Sequence, residues 1–190
     1  MNEASPPNRL EKGTLLLASP DVEEELYFKS VILICEHTPA GSFGLIVNKP
    51  VTVEIPPEIL PIGEIQHPKV HLRLGGKSQQ NQMMLLHTSK QNIDQTLNVA
   101  PEIYLGGDLQ FLQESIGSEA CPDLLLCFGY TGWTTGELEK EFMKGLWFVH
   151  PASKELLFDT PAEKMWQLIL KKMGGKYASL AMIPDDLTLN

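Results

Sequence analysis

Gly129-Tyr130-Thr131-Gly132-Trp133-Thr134-Thr135-Gly136-Glu137-Leu138-Glu139-Lys140-Glu141, closing at Trp147, reads as a strand end, a glycine-rich turn and a helix whose start is written into its residues. Thr134 is placed to cap the first turn, and Glu137, three residues on, to complete a capping box. Trp133 before the cap and Leu138 inside the helix have the spacing of a hydrophobic staple, which fixes the angle of entry. Residues 123–128 supply the buried strand that leads into the turn.

Working downstream, residues 146–149 and 155–158 read as a hairpin around Pro151-Ala152-Ser153. Thr160-Pro161-Ala162-Glu163 has the form of a second helix start, with a capping Thr, Pro at the first helical position and Glu closing the box. Ala162, Met165, Trp166, Ile169 and Met173 follow at helical spacing as a packing face, and Gly174 stops them.

Upstream, Thr14-Leu15-Leu16-Leu17-Ala18 is a short apolar run between Gly13 and Pro20, the pattern of a buried strand. Val31-Ile32-Leu33-Ile34-Cys35 is rich in β-branched residues. A turn-forming cluster, Glu36 to Gly41, separates it from Phe43-Gly44-Leu45-Ile46-Val47. With no room for a crossover helix, the two strands are antiparallel neighbours. Asn48-Lys49-Pro50 ends the second, and the proline-rich piece over 51–68 is a loop with one helical turn at 58–60. Val70-His71-Leu72-Arg73-Leu74-Gly75-Gly76 and Pro101-Glu102-Ile103-Tyr104-Leu105-Gly106-Gly107 echo one another, each an alternating strand landing on a glycine pair. Residues 83–87 are read as the antiparallel partner of the first. Asp108 caps a helix with Leu109, Leu112 and Ile116 on one face, closed by Gly117. Strands joined by short turns, with helices late, indicate an α+β fold. The expected architecture is a mainly antiparallel sheet curled toward a barrel, with two or three peripheral helices.

At 190 residues, with 43% hydrophobic and 21% charged residues, the chain suits one domain over 1–190. A loosely held arm is expected at 1–12 and a partly ordered tail at 178–190. The formal net charge of −9 and the absence of a Lys/Arg run argue against direct nucleic-acid binding. Cys35 and Cys127 lie in apolar runs where a thiol behaves as a small hydrophobe, and Cys121 makes the count odd. No secretory segment precedes Lys12 and no apolar run approaches membrane-spanning length, so a reducing cytoplasm is expected.

The chemistry-bearing side chains are sparse. His37, Asn48, His87, Tyr130 and Glu141 are the ones suited to proton transfer or polar recognition. No Ser or Cys stands beside a His in the sequence as an activated nucleophile. Of the histidines only His67 and His71 share an i, i+4 spacing, and Pro68 discourages the helix that would make it useful. No metal and no cofactor is therefore expected, and neither glycine pair has a nucleotide-binding pattern. The preferred contact surface comprises His37, Asn48, Gly75, Gly76, Tyr130, Trp133, Glu137 and Glu141, which would engage a protein partner or a small ligand. Bordering a cleft with Tyr130 and Trp133, Glu137 and Glu141 would favour cationic or hydroxylated groups. The rival reading is an enzyme or a nucleotide-binding protein with His37, Tyr130 and Glu141 in one pocket.

Taken together, Gly13-Thr14-Leu15-Leu16-Leu17-Ala18, Phe28-Lys29-Ser30-Val31, Glu36-His37, Gly41-Ser42-Phe43-Gly44-Leu45-Ile46-Val47-Asn48, Gly75-Gly76, Leu86-His87, Gly129 to Trp133, Gly136 to Glu141 and Trp147 resemble the YqgE/AlgH family of bacterial proteins. The likeness runs from about Gly13 to Met173. It implies a small cytoplasmic α+β protein with no established biochemical activity, and some members carry a transcriptional-regulator label. The chain departs from the pattern at Glu137 (Gln is usual), Lys77 (Pro), Lys29 (Arg) and Ser42 (Ala).

Overall fold

A computed structural model describes residues 9–52, 67–90 and 96–184; the turn expected at 58–60, most of the arm and the end of the tail lie outside them. Nine strands form one sheet: β1 Thr14–Ala18, β2 Val31–Thr38, β3 Gly41–Ile46, β4 Val70–Leu74, β5 Ser78–His87, β6 Leu97–Ala100, β7 Ile103–Leu105, β8 Leu124–Thr134 and β9 Trp147–Pro151. Four α-helices accompany them among the described residues: α1 Leu109–Ile116, α2 Glu137–Met143, α3 Ala162–Met173 and α4 Gly175–Leu180. The strand order is β6-β7-β5-β8-β3-β2-β1-β9, with β4 also against β8. All pairings are antiparallel except β4–β8. The fold is α+β, as expected.

The sheet curls because its two ends feed the same core. Val99, Ala100 and Ile103, from β6 and β7, share one apolar cluster with Leu15 and Leu17 of β1, near the other end of the order. Helix α3 closes that core with Met165, Trp166, Ile169 and Leu170, and the Trp166 indole donates to the Ala18 carbonyl at 2.9 Å. On the opposite face Leu16, Ile32 and Ile34 pack with Tyr27, Trp133, Leu138 and Trp147. Helix α1 covers a third cluster, setting Phe111, Leu112 and Ile116 on Leu124 and Leu126. Both faces being covered, β1 and the first half of β8 read as continuous apolar runs rather than as alternating ones.

Strand β8 is the spine of the sheet and differs most from its sequence reading. It does not turn at Gly129 but runs unbroken to Thr134, pairing with β4 and β5 along its first half and β3 along its second. Strands β4 and β5, expected to pair with each other, instead flank β8. The hairpin expected over 146–158 does not form either. Strand β9 pairs with β1, and Glu155–Asp159 coils into a π-helical turn. The Leu156 N–H finds the Ser153 hydroxyl at 3.3 Å, a local bond that favours a helical start over an extended strand. Helix α3 begins at Ala162 without the expected capping box, the Thr160 hydroxyl donating to the Glu155 carbonyl instead. Asp108 does cap α1, accepting from the Phe111 N–H at 2.8 Å.

Candidate functional site

The second half of β8 presents alternate side chains to opposite faces, as any strand must. Thr131 and Trp133 face α2, whereas Tyr130 faces the α3 side, where its ring meets the edge of Phe43 at 6.2 Å. From Thr134 the chain turns through Thr135 and Gly136, the latter at φ +73°, into α2. The Glu137 carboxylate reaches back to accept from the Thr134 N–H at 2.9 Å and the Thr134 hydroxyl at 3.1 Å. Half of the expected capping box thus forms: Thr134 gives its hydroxyl to Glu137 rather than to a helix N–H. The staple does form, with Trp133 and Leu138 buried in one cluster.

One helical turn beyond Glu137, Glu141 is held by both indoles. Its Oε2 accepts from Trp133 Nε1 at 2.9 Å and from Trp147 Nε1 at 2.7 Å. Such charge-assisted bonds are stronger than neutral ones, and two on one oxygen fix the orientation of the carboxylate. The indoles stand edge to face, centroids 6.2 Å apart, and Tyr27 meets Trp147 in the same way at 6.0 Å. The Tyr27 hydroxyl is 3.3 Å from the Thr131 hydroxyl, and burial raises its pKa, so it remains a phenol at neutral pH.

These residues line a cleft of about 470 Å³ between α2 and the segment from Asp21 to the 3₁₀ turn Glu25–Tyr27. Trp133, Glu137 and Glu141 form one wall, and Asp21, Glu23 and Glu24 edge the other. Lys77 enters from the link between β4 and β5, its ammonium 3.0 and 3.2 Å from the Glu24 carboxylate oxygens and 5.8 Å from the Tyr27 ring centre.

Of the residues singled out in the sequence, the cleft gathers Trp133, Glu137 and Glu141. It does not gather Tyr130, which belongs to the opposite face of the sheet. Asn48 is buried, its Oδ1 accepting from the Val31 N–H at 2.7 Å and its amide donating to the Lys29 carbonyl at 2.9 Å. It extends the β2–β3 ladder with a side chain. Gly75 and Gly76 are buried where the chain leaving β4 crosses β8, and a Cβ on Gly76 would lie 2.1 Å from the Tyr130 carbonyl carbon. They serve close backbone approach rather than ligand contact. His87 is sealed between Tyr104 and Phe111, and burial lowers its pKa to about 4.

His37 departs from its reading in another way, for a hydroxyl does lie beside it. Its Nδ1 is 2.6 Å from Ser42 Oγ, and its Nε2 is 3.6 Å from Glu139 Oε1. Hairpin pairing sets His37 opposite Ser42, a proximity that five residues of sequence separation conceal. The backbone of β3 there is paired with both β2 and β8. Tyr27, Lys77 and Trp147 were not among the sequence candidates. Trp147 closed the key stretch and could have been added from its spacing to Glu141. Tyr27 and Lys77 carry no local signal. Among the described residues no group of three or more His, Cys, Asp or Glu is gathered to hold a metal, and no helix is long and apolar enough to cross a membrane.

The curled, mainly antiparallel sheet with peripheral helices puts the chain in the α+β class. The chain belongs to the AlgH-like family, which matches residues 15–178. It is 52% identical to a UPF0301 protein of Chlamydia abortus, over 95% of this chain and 96% of that one. A UPF0301 protein of Chlorobium phaeobacteroides is 33% identical over 96% and 97%. Among solved structures, AlgH from Pseudomonas aeruginosa superposes with a TM-score of 0.72 at 26% identity, covering 98% of this chain and all of that one (100%). Protein DIP2367 from Corynebacterium diphtheriae shares the fold, with a TM-score of 0.74 at 24% identity over 96% and 94%.

Proposed function

We propose that this chain is a cytoplasmic binding protein, regulatory rather than catalytic, whose contact surface is the cleft between α2 and the 3₁₀ turn. The observation that carries the reading is the Glu141 carboxylate, oriented by two indole N–H groups at 2.9 and 2.7 Å in a hollow walled by aromatic rings. A pocket of a few hundred Å³ with apolar walls and a few placed polar groups is the ordinary form of a ligand site. The carboxylate held in one orientation by its two indole donors favours recognition over turnover. The rival enzyme reading loses its geometry, because Tyr130 stands on the far face of the sheet from Glu141. Net charge −9 disfavours direct contact with DNA, so any effect on transcription would run through a partner.

The indoles are the reporters for a test. A fragment and peptide screen read by the indole N–H resonances of Trp133 and Trp147 is expected to yield ligands that move both and are recovered chemically unchanged. Ligands that bind while leaving both resonances in place, or that are turned over, would overturn the reading.

A further inference from the structure

We infer that the cleft takes the protonated amine or guanidinium end of a ligand, with Glu141 as its counter-charge and the chain's own Lys77 as an internal competitor. This rests on the cleft being the binding site. Its lining carries Asp21, Glu23 and Glu24 on one wall and Glu137 and Glu141 on the other, against only Lys77 and Lys144. An anion entering there meets an excess of like charge; a cation does not.

The five carboxylates are not equivalent. Glu137 is committed to Thr134 and Glu24 to Lys77. On Glu141 both indole donors converge on Oε2, leaving Oε1 with no protein donor among the described residues. One oxygen is anchored and the other is presented, an arrangement suited to accept from an ammonium or a guanidinium. The three rings beside it, Tyr27, Trp133 and Trp147, form one continuous edge-to-face cluster, and aromatic walls attract cations through their quadrupoles.

The chain already places a cation in this hollow. Lys77 stands over Tyr27 while paired with Glu24, and its side chain is 58% exposed. A half-exposed lysine pair of this kind is held weakly, so an incoming cation can share or displace its position. Removing the Lys77 charge should therefore improve binding, whereas removing the Glu141 charge should impair it.

The full chain, labelled for the two indole N–H resonances, is titrated at low salt with n-butylammonium, n-butylguanidinium, butyrate and the peptide acetyl-Gly-Arg-Gly-amide. The cations are expected to move both resonances and butyrate neither. Glu141→Gln keeps an oxygen for the indoles, and a wild-type circular dichroism spectrum of the free variant verifies its fold, its own free indole positions serving as the reference for its titration. It should weaken cation binding about tenfold, the scale of losing one favourable charge pair. Lys77→Gln should tighten binding severalfold. Binding of the small cations as tightly as the peptide indicates a free small-molecule ligand, and binding of the peptide alone indicates a basic side chain of a partner; both support the shared chemistry. Butyrate moving the indoles would overturn the cation assignment while leaving the cleft as the binding site. No binding by any cation to either wild type or Lys77→Gln would overturn it too. A cation that binds without moving the indoles would overturn both readings.

Discussion

At the scale of single residues, His87 shows how one buried ring couples stability to acidity. Its imidazole is 1% exposed, its Nδ1 accepts from the Ser89 N–H at 3.2 Å, and its Nε2 has no partner. Burial holds its folded pKa at about 4, against 6.5 ordinarily. The unfolded chain therefore takes up this proton first as pH falls. The cost to the fold begins near the ordinary value and is complete once pH passes below the folded one. A shift of that size corresponds to about 3 kcal/mol at the acid end. His87→Phe keeps an aromatic ring between Tyr104 and Phe111 and removes the titration. The difference in unfolding free energy between wild type and this variant should move by up to about 3 kcal/mol in the variant's favour from pH 7 to pH 4, measured by urea unfolding. A difference independent of pH would refute the assignment. The sequence identified His87 as a strand-end residue, but its partners come from β7 and α1, and no local pattern announces them.

At the scale of elements, the glycines of two junctions look interchangeable in sequence and are not. Gly136 starts α2 at φ +73°, and a Cβ added there would meet nothing within 4 Å, whereas one on Gly76 would lie 2.1 Å from the Tyr130 carbonyl carbon. The first needs glycine for its backbone angle alone, the second for space. Gly136→Ala should thus cost about 1 kcal/mol, the usual penalty for a left-handed non-glycine residue. Gly76→Ala must part the β4–β5 link from β8, breaking the Gly75 N–H to Phe128 carbonyl bond of 2.7 Å. More than about 3 kcal/mol is expected, enough to leave the protein largely insoluble. Soluble yield together with denaturant midpoints separates the two cases; equal penalties would mean that the crossing yields easily and does not require glycine for space. The α2 junction was legible because staple and Glu137 bond are local, three to five residues apart. The β4–β8 crossing was not, because Gly76 and Tyr130 meet only once distant strands have paired.

At the scale of the whole molecule, the same division of local from non-local information governs both fold and cleft. The apolar runs of β1, β2 and β8 were readable as strands, and their continuity followed from cover on both faces. Their order was not readable, since β8 draws its neighbours β3, β4 and β5 from much earlier in the chain. One wall of the cleft, Trp133 to Glu141, lies in a single readable stretch; Tyr27 and Lys77 reach the other wall only through that topology. The global charge adds what no single residue supplies. With 24 acidic against 15 basic residues, an approaching cation is attracted before it touches Glu141, over a range that shrinks from about 30 Å at 0.01 M salt to about 3 Å at 1 M. Affinity of the wild-type cleft for n-butylguanidinium should therefore fall severalfold between low and roughly 0.5 M sodium chloride, chiefly through slower association. Glu141→Gln should bind more weakly throughout yet keep part of that salt slope, because the remaining carboxylates still shape the field. An affinity indifferent to salt would mean that the rings alone hold the ligand and that the acidic surface plays no part in drawing it in.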